Sequence, residues 1–565
     1  MRDLTLRILA TTALCHVALT AQTQVYAVDA EQAGLSLGQF MESVDDLDGD
    51  GRRDLIALAP GFDSAAGDAV GKVYALSGVD GSLIWSRQGA VAAQRLGTSV
   101  CDAGDVNGDG VSDIVVLDET PVGAIVARRL NWLSGVNGAL IRSRISDFSS
   151  SDGFGEALAN VLDVDGDGAP DLAVGIPRYG GGRGRVEIYS GATALVIWGR
   201  FGPNTMISRY GHGLARLDNW DGNGEPVLAI GAPFHTIGFQ ACGRVEIRDL
   251  GPFTFINEVV GAPGDLLGYH LSNLGDVDGD SRSDLSATAH GSATYTEVYL
   301  ANELVVARRF TPAEPSDHFG WHARGAGDID GDGWGDILIS SSTWTPGAGA
   351  YFGRVFAYSI RDGRELFRLE GESSGHLFGR FIAGGLDTDG DSTPEFAVSV
   401  AGYEGSAGAG SGRIEIWRPS PIAPHTYCPA SVSSAGCVAQ MQAIGNLSAT
   451  AASGLQLHVS NVEGQKLGLV FYGVNGAAEA PWGASSTLCV RAPTQRTGAQ
   501  SSGGTSGACD GSLTLDWLAF VAAPGLVLGE PFAPGDAFWA QGWFRDPASA
   551  KTTALSRAVQ VTLAP

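Results

Sequence analysis

Positive charge is scarce in this sequence. Against 62 Asp and Glu it has 36 Lys and Arg, a formal charge of −26 over 565 residues. That balance excludes a phosphate backbone or an anionic membrane as a natural partner. Long apolar runs are missing beyond the first 20 residues. Leu513 to Leu528 comes nearest to a spanning length, and Asp516, Pro524 and Gly525 interrupt it. No G-x-S-x-G, H-E-x-x-H or phosphate-binding loop occurs, so no catalytic constellation is recognisable. The 81 glycines follow no three-residue period, which excludes collagen and points to many tight turns.

What is present begins with an export-like leader. Arg2 and Arg7 precede the apolar stretch Ile8 to Leu19, and Thr20-Ala21-Gln22 offers a cleavage point, so residues 1–21 read as a signal peptide. Leu14 before Cys15 argues against lipidation. A secreted or cell-surface protein follows, in a compartment that permits disulfides. Of the remaining cysteines, four lie in the last third. Proximity along the chain favours Cys428–Cys437 and Cys489–Cys509, one of three possible pairings. Cys101 and Cys242 are expected as buried thiols.

The acid is unevenly spread. From Ser420 onward there are 6 Lys and Arg and 7 Asp and Glu, so nearly all of the −26 lies before residue 420. A nonapeptide, D-x-D-G-D-G-x-x-D followed by an apolar run, accounts for it. It begins at Asp46, Asp105, Asp163, Asn219, Asp276, Asp328 and Asp387, with spacings of 59, 58, 56, 57, 52 and 59. Each repeat opens on an aromatic or Leu before Gly, such as Phe154-Gly155 and Phe378-Gly379. After the acidic loop come segments such as 171–177, 184–190 and 195–199, which read as strands with a turn at each joint. Four strands cannot bury both faces alone, whereas seven such sheets in radial array can, which is a β-propeller.

With Phe154-Gly155, Ala229-Ile-Gly-Ala-Pro233 and Val259-Val-Gly-Ala-Pro263, the sequence resembles the FG-GAP repeats of the integrin-α N-terminal propeller and its bacterial relatives. The resemblance covers residues 22–418. It implies an all-β, seven-bladed propeller with calcium in its loops, and leaves the ligand open. The last repeat shows only three strands before Pro419, Pro421 and Pro424. The run Gln24 to Val28 is therefore expected to supply its fourth and to leave no open edge.

The acidic loops suit calcium, which takes six to eight oxygens on a short flexible loop. Positions 1, 3, 5 and 9 carry the side-chain oxygens. The expected ligands are Asp46, Asp48, Asp50 and Asp54; Asp105, Asn107, Asp109 and Asp113; Asp163, Asp165, Asp167 and Asp171. They continue with Asp276, Asp278, Asp280 and Asp284; Asp328, Asp330, Asp332 and Asp336; Asp387, Asp389, Asp391 and Glu395. About six sites are expected. The fourth loop has Asn219, Asp221, Asn223 and then Val227, so it should be weak or empty. Val227→Asp should restore it. Crowded carboxylates repel unless an ion sits among them.

The acidic loops and the tight hairpins share one face of a four-stranded meander. The second turns lie on the other face and are longer and more aromatic. Phe62, Tyr179, Phe234, His235, Trp344, Tyr351 and Tyr403 are the candidate ligand contacts, against a reading in which several rings tuck back onto the blades. His270 and His322 fall in one register of neighbouring repeats. They either share a metal in the central channel or are two unrelated packed histidines.

Residues 425–565 carry fewer acids and more Ser, Thr and Ala. Segments 454–459, 468–473, 513–517 and 538–544 suggest an all-β sandwich of about eight strands after a Pro-rich linker at 419–424. With Cys428, Cys437, Phe471 to Gly476, Cys489 and Trp539 to Asp546, this part resembles C-terminal modules of large secreted proteins of planctomycetes. The function expected is non-catalytic adhesion or recognition of an extracellular protein or glycan by a calcium-binding monomer. An extracellular lyase or hydrolase on the same ring is the alternative.

Overall fold

A computed structural model describes residues 22–563 except 123–124, 204–206, 252, 302–303, 313–317, 331–332, 346–350, 391–393, 420–424, 428–429, 446, 450, 483–485, 524–526, 530, 534–535 and 549–551. The leader, Asp332, Asp391, Cys428 and most of the linker lie outside the described residues. The chain divides into two compact units, Met1–Pro419 and Ser420–Pro565.

Among the described residues the first unit holds seven four-stranded antiparallel sheets. In the first sheet, β2 (Phe40–Val44), β3 (Asp54–Ala59), β4 (Lys72–Leu76) and β5 (Leu83–Gln88) pair in chain order. β3 and β4 are buried along their whole length, which is why they read as continuous apolar runs. The innermost strand of each sheet contacts that of the next, and the circuit closes where Phe378–Leu386 meets β2. Sheet packs on sheet through shared apolar clusters. One joins Val44, Leu58 and Val73 to Ile114, Val116 and Leu133 of the following sheet.

The chain ends close the ring. β1 (Thr23–Asp29) pairs antiparallel with Arg413–Arg418, from Thr23 opposite Arg418 to Asp29 opposite Arg413. The guanidinium of Arg413 bonds both carboxylate oxygens of Asp29, at 2.6 and 3.0 Å. Tyr26 reaches the first blade, its hydroxyl donating to the carbonyl of Gly78 at 2.7 Å.

Five second turns, those ending at Gly71, Gly184, Gly243, Gly353 and Gly412, place a glycine against the start of the next blade. Gly71 has φ +79°, and a Cβ there would lie 2.2 Å from the backbone nitrogen of Leu96. Gly71 pairs with Leu96, and Gly412 with Leu37 in the same way across the closure. No side chain fits between these backbones.

The second unit has a larger sheet and a three-stranded sheet, Gln440–Gly445, Leu455–Val462 and Gly511–Asp516, with one apolar core between them that includes Leu457, Tyr472, Trp517 and Phe538. Eleven strands are present among the described residues, more than sequence patterning suggests. The extra ones, such as Thr494–Arg496 and Gln500–Ser501, are too short to show a period. The run 513–517 is not all strand. Asp516 caps a short helix, Trp517–Val521, by accepting from the Ala519 amide. Cys437 bonds Cys509, across 72 residues, so the two short-range pairs expected from proximity do not form. Folding brings the ends of a long segment together, which sequence distance cannot show. Cys489 is also disulfide-bonded. Cys101 and Cys242 are free, the first half-buried rather than buried.

Candidate metal loops and ligand face

The acidic loops share one construction. The first Asp accepts backbone N–H groups from positions 4, 5 and 6. In loop one Asp46 takes Gly49 at 2.7 Å, Asp50 at 3.2 Å and Gly51 at 2.7 Å. Those bonds outweigh burial and hold its carboxyl below the usual range. The last carboxylate is buried and staples two segments. Asp54 accepts from Leu47 at 2.7 Å and from Gly78 of the β4–β5 hairpin at 2.9 Å. Asp113, Asp171 and Asp284 repeat this with Gly135, Gly191 and Ala301. Loop and hairpin therefore stand at the same end of each blade, as the topology predicts.

Burial without a counter-charge pushes these last carboxyls up, to about 6 for Asp54, Asp113 and Asp171 and to about 7 for Asp284. Among the described residues, carboxylate oxygens converge in five loops, within 4.8 Å of one another. They are Asp46, Asp48 and Asp50; Asp163, Asp165 and Asp171; Asp276, Asp278 and Asp284; Asp328, Asp330 and Asp336; Asp387, Asp389 and Glu395. Such oxygen sets fit a hard divalent cation. In loop two the Asn107 amide donates to Asp109 at 2.9 Å and to Asp113 at 3.3 Å. Loop four has no last carboxylate. Val227 stands in that place, buried in one apolar cluster with Trp220.

A family model described as FG-GAP repeat matches residues 154–189, and one described as FG-GAP-like repeat matches 46–116. The first unit is an FG-GAP β-propeller. Integrin alpha-V of Gallus gallus is 31% identical over 209 residues, covering 34% of this chain and 20% of that protein. Integrin alpha-4 of Xenopus laevis is 31% identical over 192 residues, covering 30% and 18%. Integrin alpha-PS5 of Drosophila melanogaster is 35% identical over 179 residues, covering 26% and 17%. The chain thus spans about a fifth of the length of the relatives it matches. A solved structure titled "Structure of Dos1 propeller" superimposes at a TM-score of 0.36 and 12% identity over 67% of this chain and 81% of that one, a likeness too loose to add to the strand topology.

On the opposite face of the FG-GAP propeller the candidate aromatics divide. Phe62 and Trp344 are buried, packed under Lys72 at 4.8 Å and Arg354 at 3.5 Å. They serve the blades and are not open ligand contacts. Tyr403 lies 3.8 Å from the Arg413 guanidinium and Phe234 4.3 Å from that of Arg209, both half-buried. Tyr179 meets Phe148 and Phe201, and His235 is half-buried. Tyr351 is open, as is Phe239, the most exposed ring at 95%. The cations beneath these rings escape a search for aromatics alone. Their signal is plain, since third strands open on Gly-Lys or Gly-Arg at 71–72, 184–185, 243–244, 353–354 and 412–413.

The repeat glycines also sit at this face, so the innermost strands start here. Around the channel mouth a cavity of 380 Å³ is lined by Glu42, His212, Tyr269, His270, Trp321, His322, Arg324, Arg380 and Phe381 among others. His270 and His322 do meet, with ring centroids 4.9 Å apart. Tyr269, Trp321 and Phe381 are invisible to motif reading, because only ring closure brings them together.

No helix among the described residues is long and apolar enough to cross a membrane.

Proposed function

We propose that this protein is an exported, calcium-binding recognition protein that holds an extracellular protein or glycan on the second-turn face of its propeller. Calcium occupies the acidic loops on the other face and stiffens the blades that present that surface. The observation that carries the reading is the separation of the two chemistries. Carboxylates gather at one end of the blades, while open rings (Phe239, Tyr351) and cation-backed rings gather at the other. Integrin-α relatives with the same repeats support a ligand-binding propeller. The cell-surface or secreted location rests on the leader-like start of the sequence.

A second reading, an extracellular carbohydrate-active enzyme, draws on one feature. Histidines, Tyr269, Glu42 and Glu156 converge at the channel mouth on that same face. Arrays of glycans and matrix proteins, probed with calcium and with chelator, separate the two. Saturable binding that falls in Tyr351→Ala and Phe239→Ala, without turnover, supports recognition. Turnover of a bound glycan supports the enzyme. Binding to neither array overturns both.

A further inference from the structure

The channel mouth holds a second kind of metal chemistry. His270 lies on the innermost strand Leu267–Gly275 and His322 just before the next one, Ala323–Gly327. Their rings are tilted by 33° with centroids 4.9 Å apart. The side chain of His322 is only 7% exposed. Nδ1 of His322 and Nε2 of His270 are both buried, and neither has a hydrogen-bond partner. A buried polar atom left unpaired carries the full cost of its desolvation, and here two such atoms belong to neighbouring residues that line one cavity.

We propose that His270 and His322 are the protein ligands of a transition-metal ion of the Zn²⁺ class at the mouth of the propeller channel. Imidazole nitrogen suits zinc, copper and nickel, whereas calcium selects oxygen, so this site is chemically distinct from the acidic loops. Two more histidines flank His270, with centroid distances of 6.4 Å to His212 and 6.1 Å to His290. Both are fixed by backbone carbonyls. His212 Nδ1 donates to Tyr269 at 2.9 Å and His290 Nε2 to Gly320 at 2.9 Å. Those bonds leave His212 Nε2 and His290 Nδ1 as lone pairs beside the His270–His322 pair, outside the ligand set.

Burial pushes His270 and His322 well below the usual imidazole range and takes His212 and His290 to about 4. All four are neutral at pH 7, the form that binds metal. The guanidinium groups of Arg324 and Arg380 share the wall with Glu42 and Glu156, so charge does not exclude a cation; Arg324 lies 3.8 Å from Glu42. The cavity of 380 Å³ leaves room for water or a ligand at the remaining positions. Such a site resembles in form the zinc sites that keep an open position.

The test is calorimetric titration of the calcium-saturated full chain with Zn²⁺. Calcium masks the acidic loops. One equivalent is expected, weakened at least tenfold in His270→Phe and in His322→Phe, which keep a ring in place. His458→Ala, in the second unit, should titrate as wild type. Melting curves show whether each variant is folded. Where one is not, X-ray absorption of zinc bound to the calcium-saturated wild-type protein, which reports imidazole ligands, gives the same answer. No zinc bound above the calcium background overturns the proposal. So does equal binding by both folded Phe variants, or bound zinc whose spectrum shows no imidazole ligand.

Discussion

Loops four and five follow one another around the ring and are built alike, yet loop five keeps its four carboxylates and loop four, of those positions, only Asp221. In loop five Asp276 accepts the Ser281 amide at 2.8 Å, and in loop four Asn219 accepts the Gly224 amide at 2.8 Å. Both turns thus rest on a side-chain oxygen at the first position, and in loop four Asp221 and Asn223 also accept backbone amides, at 3.1 and 2.6 Å. They differ at the last position. Asp284 accepts from Val277 at 2.9 Å and Ala301 at 2.8 Å. Val227 accepts nothing, and the hairpin glycine it would have served, Gly251, donates instead to Asp249 at 2.7 Å. Loop four has replaced a polar staple with an apolar one, and Asn219 donates to the Ser281 carbonyl of its neighbour at 3.0 Å. Loop geometry and charge are separable, so the carboxylates of the other loops have a task beyond shaping the turn.

The broadest way to break this contrast is to remove the ions. Binding to the folded state alone contributes about 2.7 kcal/mol per site at a hundredfold excess over Kd. Chelation should lower the melting midpoint of the propeller by several degrees or more. Asp284→Ala should show part of that loss in calcium and bind one equivalent fewer. An unmoved midpoint would leave the loops as plain solvated turns.

Val227→Asp sharpens the contrast from the other side. Sequence alone suggests that it restores a site. The structure places the new carboxylate in the apolar cluster that holds Trp220, with the Gly251 amide already taken by Asp249. The single change should cost about 1–3 kcal/mol by burying an unpaired group. Combined with Asp249→Ala, which frees that amide, it should recover stability in calcium and add one equivalent. Full stability and an added equivalent in the single variant would contradict the apolar-staple account.

The smallest effect is on pH dependence without ions. The Asp284 carboxyl is raised to about 7 in the folded chain, chiefly by burial, against about 4 when unfolded. The folded state then binds more protons across that window, so stability falls as pH rises from about 4 to about 7. In chelator the wild type should gain stability on acidification from pH 7 to 5. Asp284→Asn should reduce that gain by about 1 kcal/mol or less once solvent screening is allowed for. Loop four, with Val227 in that place, contributes nothing to the slope. Identical slopes would show that the carboxyl is not raised.

Much of the ring was legible because each blade repeats its own instructions. The nonapeptide fixed the loops, the apolar runs fixed the buried strands, and Pro419 left the last blade a strand short, which pointed to Gln24–Val28. The disulfide partner of Cys437 was not legible, because Cys509 comes near only when the sheets of the second unit pack. Phe62 and Trp344 looked like ligand contacts because sequence shows a ring in a loop but not the Lys72 or Arg354 that covers it. Register put His270 and His322 at one position of neighbouring repeats and left open whether they meet, which the ring centroids 4.9 Å apart now show. The flanking His212 and His290 were not legible, since their rings converge only through the curvature of the ring.

The pairing of β1 with Arg413–Arg418 also bears on how the molecule is assembled in time. These partners are the first and last strands of the propeller, about as far apart along its chain as two segments can be. The other blades draw all four strands from one stretch of sequence and can form locally. The closing blade cannot, and contacts between distant segments are slow to form. Until it forms, one partially folded species exposes the bare edge of Arg413–Arg418 and the unpaired strand Thr23–Asp29, two complementary β-edges. On two such molecules those edges fit each other as well as they fit within one. Ring closure thus competes with strand exchange between chains, and dilution favours the closed ring.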